Sequence, residues 1–378
     1  MNSVQFLHPV FTITILILIG YSFLEVYGSE IKNYKSVWFV VILLIIFSGF
    51  RKGVGADYPI YQSMYSYFPL HTDFSEIFSK ALFQKNSLDI EWFYLFFNNL
   101  FFLLGLPFFI FTAFVATVAI IPKFYTIEKN VAYPATGLLL YIIPAYFIAD
   151  CGQIRQGLAM GLAIFSFKYI KERNLLMFLI VMYFALGFHK STVVFFPAYW
   201  LVKVPLTKTK IIALVLFCIL ISPLQIYDYL GFLNSIAPQE VYQGYSDYIS
   251  IEGPSGGGIK FFDLITLLYI FFIIVLDKET CQKIPYYEYM RNLGICGVCI
   301  YFVMRGSPIF STRLPGIYMF FAALILPNNL AVIEDTKYKK FLHLILVLFV
   351  VFYYFVFGNY QATNGKFTPD SYQNYLWN

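Results

Sequence analysis

The chain has 378 residues, of which 60% are hydrophobic and only 12% charged, and its mean hydropathy is +0.70. A soluble domain carries about 25% charged residues, so this composition excludes an ordinary water-soluble fold and points to lipid as the solvent. The 44 Phe and 32 Tyr suit membrane interiors and the interfacial belt, where an amphipathic ring rests at headgroup level.

A helix of about 20 apolar residues crosses the roughly 30 Å hydrocarbon core, and about twelve such runs, within a range of eleven to fourteen, are separated by polar or Gly/Pro-marked joints. The reading is an all-α, polytopic transmembrane helical protein in which residues 1–378 form a single integral membrane domain. The first run, Val10 to Tyr27, could pass for a secretory signal. No Lys or Arg precedes it, and Val26-Tyr27-Gly28 is a poor cleavage site, so it reads as retained. Val37 to Phe50 follows, then a polar outer loop over residues 51–91, then a longer apolar segment from Trp92 to Ile121 that is broken at Gly105-Leu106-Pro107. Further spans run from Tyr133 to Ala149, Ile154 to Ile170, Leu175 to Phe188, Thr192 to Val202, Ile211 to Leu230, Phe261 to Leu276, Leu293 to Met304, Leu314 to Leu326 and Phe341 to Phe357. The five Cys lie mostly within or beside spans and form no secreted disulfide framework. Cys296-x-x-Cys299 reads as a pair of small packing residues inside an apolar run, and no metal site is expected.

Basic joints stay on the cytoplasmic side. From Lys123 onward, alternate joints hold fourteen Lys and Arg against six in the intervening set, which comprises Arg155, Lys190, Lys260, Arg305, Arg313 and Lys366. Lys32 and Lys35 agree with the first set. The 51–91 loop is then outside, Trp92 to Ile121 must contain an odd number of crossings, and both termini face outward.

A charge near the bilayer centre costs about 2.5–3.5 kcal/mol on insertion scales, so the outer basic residues draw notice. Arg51 opens Phe50-Arg51-Lys52-Gly53-Val54-Gly55-Ala56-Asp57-Tyr58-Pro59-Ile60-Tyr61; Arg155 sits between Asp150-Cys151-Gly152-Gln153-Ile154 and Gln156; His189 and Lys190 fill a tight turn; Arg305 and Arg313 bracket Gly306 to Thr312. Guanidinium forks grip phosphate in two places and hold their charge at neutral pH. Such residues facing Tyr, Gln and carboxylates suit a ligand that bears both diphosphate and sugar. A single Arg at a membrane edge also serves as a snorkelling anchor, and Asp57 and Glu91 could be solvated loop acids; the convergence of the clusters on one face carries the functional reading. A second outer loop, 231–260, is Tyr-rich from Gln239 to Tyr248 and flexible from Gly253 to Gly258, which fits a lid or a plain linker.

The F-R-x-x-x-G-x-D-Y of Phe50 to Tyr58, the Ile154-Arg155-Gln156-Gly157-Leu158-Ala159 that opens a helix, and the Phe188-His189-Lys190-Ser191 turn resemble the EpsG family of bacterial polysaccharide polymerases, related to the Wzy-type O-antigen polymerases. The resemblance runs in order from about Ser48 to Leu326, with Glu91 and the Arg313 to Tyr318 stretch falling where the family has an acid and an Arg followed by Tyr. Near Arg313 the chain departs from the pattern, because Leu314-Pro315-Gly316 intervenes.

The resemblance implies a GT-C-like membrane glycosyltransferase in the bacterial cytoplasmic (inner) membrane, with its active site facing the periplasm or exterior. It would move a growing glycan from polyprenyl (undecaprenyl) diphosphate to the non-reducing end of a lipid-linked repeat unit, for O-antigen, capsule or exopolysaccharide. Donor and acceptor would both be polyprenyl-diphosphate-linked oligosaccharides, with a chain-length regulator as a further partner, no nucleic acid and no cofactor. Because diphosphate is already a good leaving group, the chemistry needs positive charge and a base rather than a metal. Arg155, Arg305 and Arg313 are assigned to diphosphate, and Arg51 and Asp57 to positioning sugar. Tyr58, Tyr61, Gln156 and Lys190 fall to substrate binding, and His189 to the base, with Asp57 or Glu91 as rivals. A flippase for lipid-linked oligosaccharide would show midplane charges and repeated halves, and a membrane acyltransferase on surface glycans would leave the Arg set without a task.

Overall fold

A computed structural model describes residues 6–28, 34–55, 57–79, 90–225, 260–363 and 367–377, and these are almost wholly helical. The 231–260 loop up to Lys260 and residues 80–89 of the 51–91 loop lie outside the described residues. Among the described residues, three helices are long and apolar enough to cross a membrane alone: Pro9–Tyr27, Phe108–Asn130 and Thr336–Gly358. Phe310–Met319 and Ala322–Ala331 pass the same test together, bent by 42°. The chain packs as two compact units, one of Met1–Phe196 with Ile333–Asn378 and one of Pro197–Val332.

The first unit begins with α1 (Pro9–Tyr27), started by Pro9 in the first turn and by the His8 ring accepting the Val10 N–H. Helix α2 (Tyr34–Gly49) follows, then the two-residue strand β1 (Arg51–Lys52), α3 (Tyr58–His71) and α4 (Phe74–Ser79). Helices α5 (Trp92–Leu103) and α6 (Phe108–Asn130) are split where Gly105 takes φ +69° and Pro107 withholds a backbone N–H. Next come α7 (Pro134–Tyr141), a π-helical stretch Ile142–Asp150, α8 (Ile154–Phe165), α9 (Phe167–Lys171) and α10 (Leu175–Phe188), which leads into a 3₁₀ turn Lys190–Phe195.

Small residues let α6 sit between α2 and α8. A Cβ on Gly49 would lie 2.6 Å from Ala113 Cα, and one on Gly161 would lie 2.6 Å from the Ala119 carbonyl oxygen. Lipid offers no hydrophobic force between helices, so close backbone packing of this kind holds them. Gly161→Val is expected to overpack the α6–α8 seam and lower stability by about 1–3 kcal/mol, read as a lower unfolding temperature in detergent; an unchanged temperature would mean that the seam is not rigid.

Cross-links mark the two ends of this unit. At one end, His8 N donates to Phe367 O (2.7 Å), Ser48 Oγ to Asp150 O (2.7 Å), and the Phe109 ring packs on Phe50 and Tyr375. At the other, Trp38 Nε1 donates to Glu128 (3.0 Å), Lys171 Nζ to Asn130 (2.6 Å), Tyr27 Oη to Lys340 O (2.6 Å), and Ala135 N to Glu25 (2.7 Å). The residues on both sides of β1 and the two chain ends therefore share one end, and Lys129, Lys171 and Lys340 gather at the opposite one.

The segment from Trp92 to Ile121 divides into two unequal helices. Helix α5 starts at Glu91, beside Arg155, and the loop after it brings Phe108 onto Tyr58, back at the same end. Its 12 residues span about 18 Å, short of the hydrocarbon core. Of the two helices, only α6 is long and apolar enough to cross a membrane alone; the charge pattern expects an odd number of crossings here. One charge in that pattern is misplaced. Lys123, expected in a basic joint, lies within α6, fully buried against Asp150; an acid 27 residues on gives it a partner in the interior, so it takes no part in orientation.

The second unit contains α11 (Ala198–Leu201), α12 (Lys208–Ile221), α13 (Phe261–Lys283), α14 (Tyr287–Val303), α15 (Pro308–Met319) and α16 (Ala322–Ala331). The run expected as a span from Thr192 to Val202 is shorter pieces either side of Pro197. Asn292 Nδ2 donates to Val202 O (3.0 Å) and Val204 O (2.9 Å), holding the chain after α11 on α14, and buried Arg291 pairs with Asp277 at 2.8 Å. The first unit resumes with α17 (Thr336–Thr363) and the strand β2 (Gln373–Asn374).

Candidate functional site

Four short segments meet at the end of the first unit that carries β1. The first is a hook over residues 51–57. Arg51 is only 1% exposed; its Nε donates to Val54 O at 3.0 Å, its Nη1 donates to Ser48 O, and its guanidinium lies 5.6 Å from the Tyr58 ring centre. Arg51 Nη2 is buried without a hydrogen-bond partner among the described residues. Gly55 takes φ +113°, where a Cβ would strike the Cys151 carbonyl at 2.6 Å, so this position requires glycine. The turn brings Asp57 to the N-cap of α3, yet its carboxylate makes no capping hydrogen bond. Its charge acts instead on Tyr61.

The second segment is the turn from Asp150 into α8. Lys123 Nζ donates to Asp150 Oδ1 and to Gly157 O (3.0 Å), Tyr141 Oη donates to Asp150 Oδ2, and all three side chains are buried. This clamp grips the turn on both sides of Arg155 and Gln156. Gln156 is itself buried, whereas the Arg155 side chain is 20% exposed.

The third and fourth segments are the start of α5 and the turn after α10. Glu91 Oε2 accepts from Arg155 Nη1 at 2.6 Å, and Glu91 Oε1 accepts the Lys190 backbone N–H at 3.0 Å. His189 Nδ1 stands 3.8 Å from Glu91 and accepts the Ser191 N–H at 3.1 Å. With Nδ1 accepting, the neutral ring carries its proton on Nε2 and offers a donor there. The Arg155 guanidinium lies 6.0 Å from the Tyr61 ring centre and 5.8 Å from that of Tyr94, and its Nε is buried without a hydrogen-bond partner. Two aromatic faces and one carboxylate thus fix the cation. Burial pushes the Tyr58 phenol well above its ordinary range, with the neighbouring Tyr375 phenol adding to the shift, so Tyr58 remains a neutral hydrogen-bond donor.

In the second unit, Arg305 is committed. Its Nε (2.8 Å) and Nη2 both donate to Asp263, which also accepts from Tyr301 Oη at 2.7 Å and from Lys260 N at 2.7 Å. Arg313 is half-buried on α15.

A family model described as the EpsG family matches residues 34–373, nearly the whole chain. The chain belongs to the EpsG family. No curated protein and no solved structure matches it. The EpsG family is associated with polysaccharide polymerases, and the motifs of this EpsG-family chain occupy one place: the hook, the Arg155 turn and the His189 turn all contribute to the cluster just described.

Of the residues expected from sequence, Arg51, Asp57, Tyr58, Tyr61, Glu91, Arg155, Gln156, His189 and Lys190 lie at that end of the first unit, while Arg305 and Arg313 belong to the second. Sequence reasoning missed Tyr94 as a face for Arg155, the Lys123–Asp150–Tyr141 clamp, and Asp263 as the partner of Arg305. The signals were present but weak: a Lys and an Asp each next to an apolar run, and an acid opening the helix that follows the long outer loop.

Proposed function

We propose that the protein is a metal-independent polysaccharide polymerase of the bacterial inner membrane. It would transfer a growing glycan from polyprenyl diphosphate to the non-reducing end of a lipid-linked repeat unit at the face bearing β1. A single membrane domain of about twelve crossings with GT-C-like architecture belongs to this proposal. The observation that carries it is the Arg155 cluster: a guanidinium held by Glu91, Tyr61 and Tyr94, with the Lys190 and His189 turn against the same carboxylate. Preorganised positive charge is what a departing diphosphate requires, since it stabilises charge that grows in the transition state without reorganising.

In the proposed step the acceptor hydroxyl attacks C1 of the donor sugar, the C1–O bond to diphosphate breaks, and polyprenyl diphosphate leaves with the bonding electrons beside Arg155. The acceptor's proton goes to a carboxylate. Asp57 fits that role best, because both Glu91 oxygens already accept hydrogen bonds and His189 Nδ1 is engaged by Ser191, whereas the Asp57 carboxylate leaves the α3 cap unmade. Arg51 and Tyr58, both buried, would act on the sugar only by holding the hook that carries Asp57. Arg305, whose Nε and Nη2 both bond Asp263, belongs to the second unit and is given no part in this step.

Reconstitution of the purified protein with polyprenyl-diphosphate-linked repeat units is expected to give a ladder of polymer without any other protein, and no ladder would defeat the proposal. Asp57→Asn should lower turnover by about 10²–10⁴-fold, the range for loss of a general base, with His189→Ala the milder of the two. The reverse order would return the base to His189.

A further inference from the structure

Residues 367–377 form a strap across the β1 end of the first unit. β2 pairs antiparallel with β1, Arg51 opposite Asn374 and Lys52 opposite Gln373. Asn374 is fully buried and its Nδ2 donates to Ile46 O (3.3 Å); Tyr372 Oη donates to Phe47 O (2.9 Å); Tyr375 N donates to Phe50 O (2.8 Å). These bonds hold the strap to the end of α2, immediately before the Arg51 hook. Tyr375 differs from its buried neighbours. It is 36% exposed, its ring stacks on Phe109 at 4.9 Å between centroids, and the Lys52 ammonium lies 5.7 Å from its centre. Its phenol is also close enough to Tyr58 to act on that group.

An exposed aromatic ring, backed by a second ring and flanked by an exposed ammonium, is how a site receives a sugar. The apolar face of the pyranose stacks on the ring, and hydroxyls or a carboxylate bond to the polar neighbours. We propose that Tyr375 is a wall of the glycan-binding site, contacting a sugar of the lipid-linked repeat unit, and that the strap exists to hold it beside Tyr58 and Lys52. This rests on the polymerase reading above and extends it to a segment that none of the motifs includes. The ring makes its contact in ground state and transition state alike, so its loss weakens binding without slowing chemistry.

The test uses the full chain and polyprenyl-diphosphate-linked repeat units purified from cells that make the polymer. Tyr375→Ala is expected to raise KM for that substrate about tenfold, the upper end for an aromatic stacking contact, with kcat within about twofold and the unfolding temperature unchanged. Tyr375→Phe keeps the ring and should restore a near-wild-type KM. An unchanged KM in Tyr375→Ala overturns the proposal. So does a joint fall of kcat and unfolding temperature, which would make the strap a structural brace alone. If the wild-type protein makes no ladder, the polymerase reading fails and this inference falls with it; a wild-type ladder with an indifferent Tyr375 defeats this inference alone.

Discussion

Arg155→Lys is expected to abolish polymer formation, with turnover of lipid-linked repeat units down at least about 10²–10³-fold, the range for loss of a preorganised transition-state donor. The substitution preserves charge but not shape. The guanidinium reaches Glu91 through Nη1 while lying over the Tyr61 and Tyr94 rings, and its Nε has no hydrogen-bond partner among the described residues. A lysine ammonium is a point charge that cannot bond Glu91 and still present a planar fork to diphosphate. Glu91→Gln should be the milder change, because an amide oxygen can still accept the Lys190 N–H while the grip on Arg155 weakens. Chain-length analysis of the reconstituted product separates these outcomes, and wild-type ladders from Arg155→Lys would reduce Arg155 to an anchor.

The second large effect concerns stability. Lys123→Met is expected to destabilise the first unit by about 3–5 kcal/mol, because it leaves the fully buried Asp150 carboxylate without its counter-charge. Asp150→Asn should do similar harm by orphaning the ammonium. The double variant Lys123→Met with Asp150→Asn removes both charges and should recover most of the loss, since a buried pair replaced as a whole is often near neutral. Thermal unfolding in detergent, followed by the size-exclusion profile, measures all three. A single variant as stable as wild type would show that the pair is reached by water. Polymerisation gives a second readout: a double variant that is stable but slow would show that the clamp on Asp150 and Gly157 aims Arg155.

How much of this was visible beforehand depended on range. A charge beside an apolar span is costly enough to stand out, so Arg51, Arg155 and the His189 turn could be found one at a time, and an outer-face topology was enough to suggest that they converge. Partnerships were not visible. Lys123 and Asp150 lie 27 positions apart and each looked like an ordinary joint residue, and Asp263 lies 42 positions from Arg305; hydropathy patterns report which medium a residue faces, not which side chain answers it. The helix pattern was legible, but the lengths were not. Gly105-Leu106-Pro107 marked its own break, whereas those at Pro197 and Phe320 cut runs that hydropathy reads as continuous, so that α15 and α16 meet at 42°. The strap gave no signal at all, since two strand residues pairing with a segment near the other end of the sequence have no local period.

That pairing has a temporal consequence. β2 emerges from the ribosome only after β1 and the described helices between them, so the hook around Arg51 must wait, unpaired, until those helices have been made. Closing so long a loop from a free chain would carry a large entropy penalty. By then, however, α1, α2 and α17 have already brought the two segments to the same end of the first unit, and little remains to be lost. The strap therefore closes on helices that are already in place. A site walled by the strap would stay incomplete until those helices stand together.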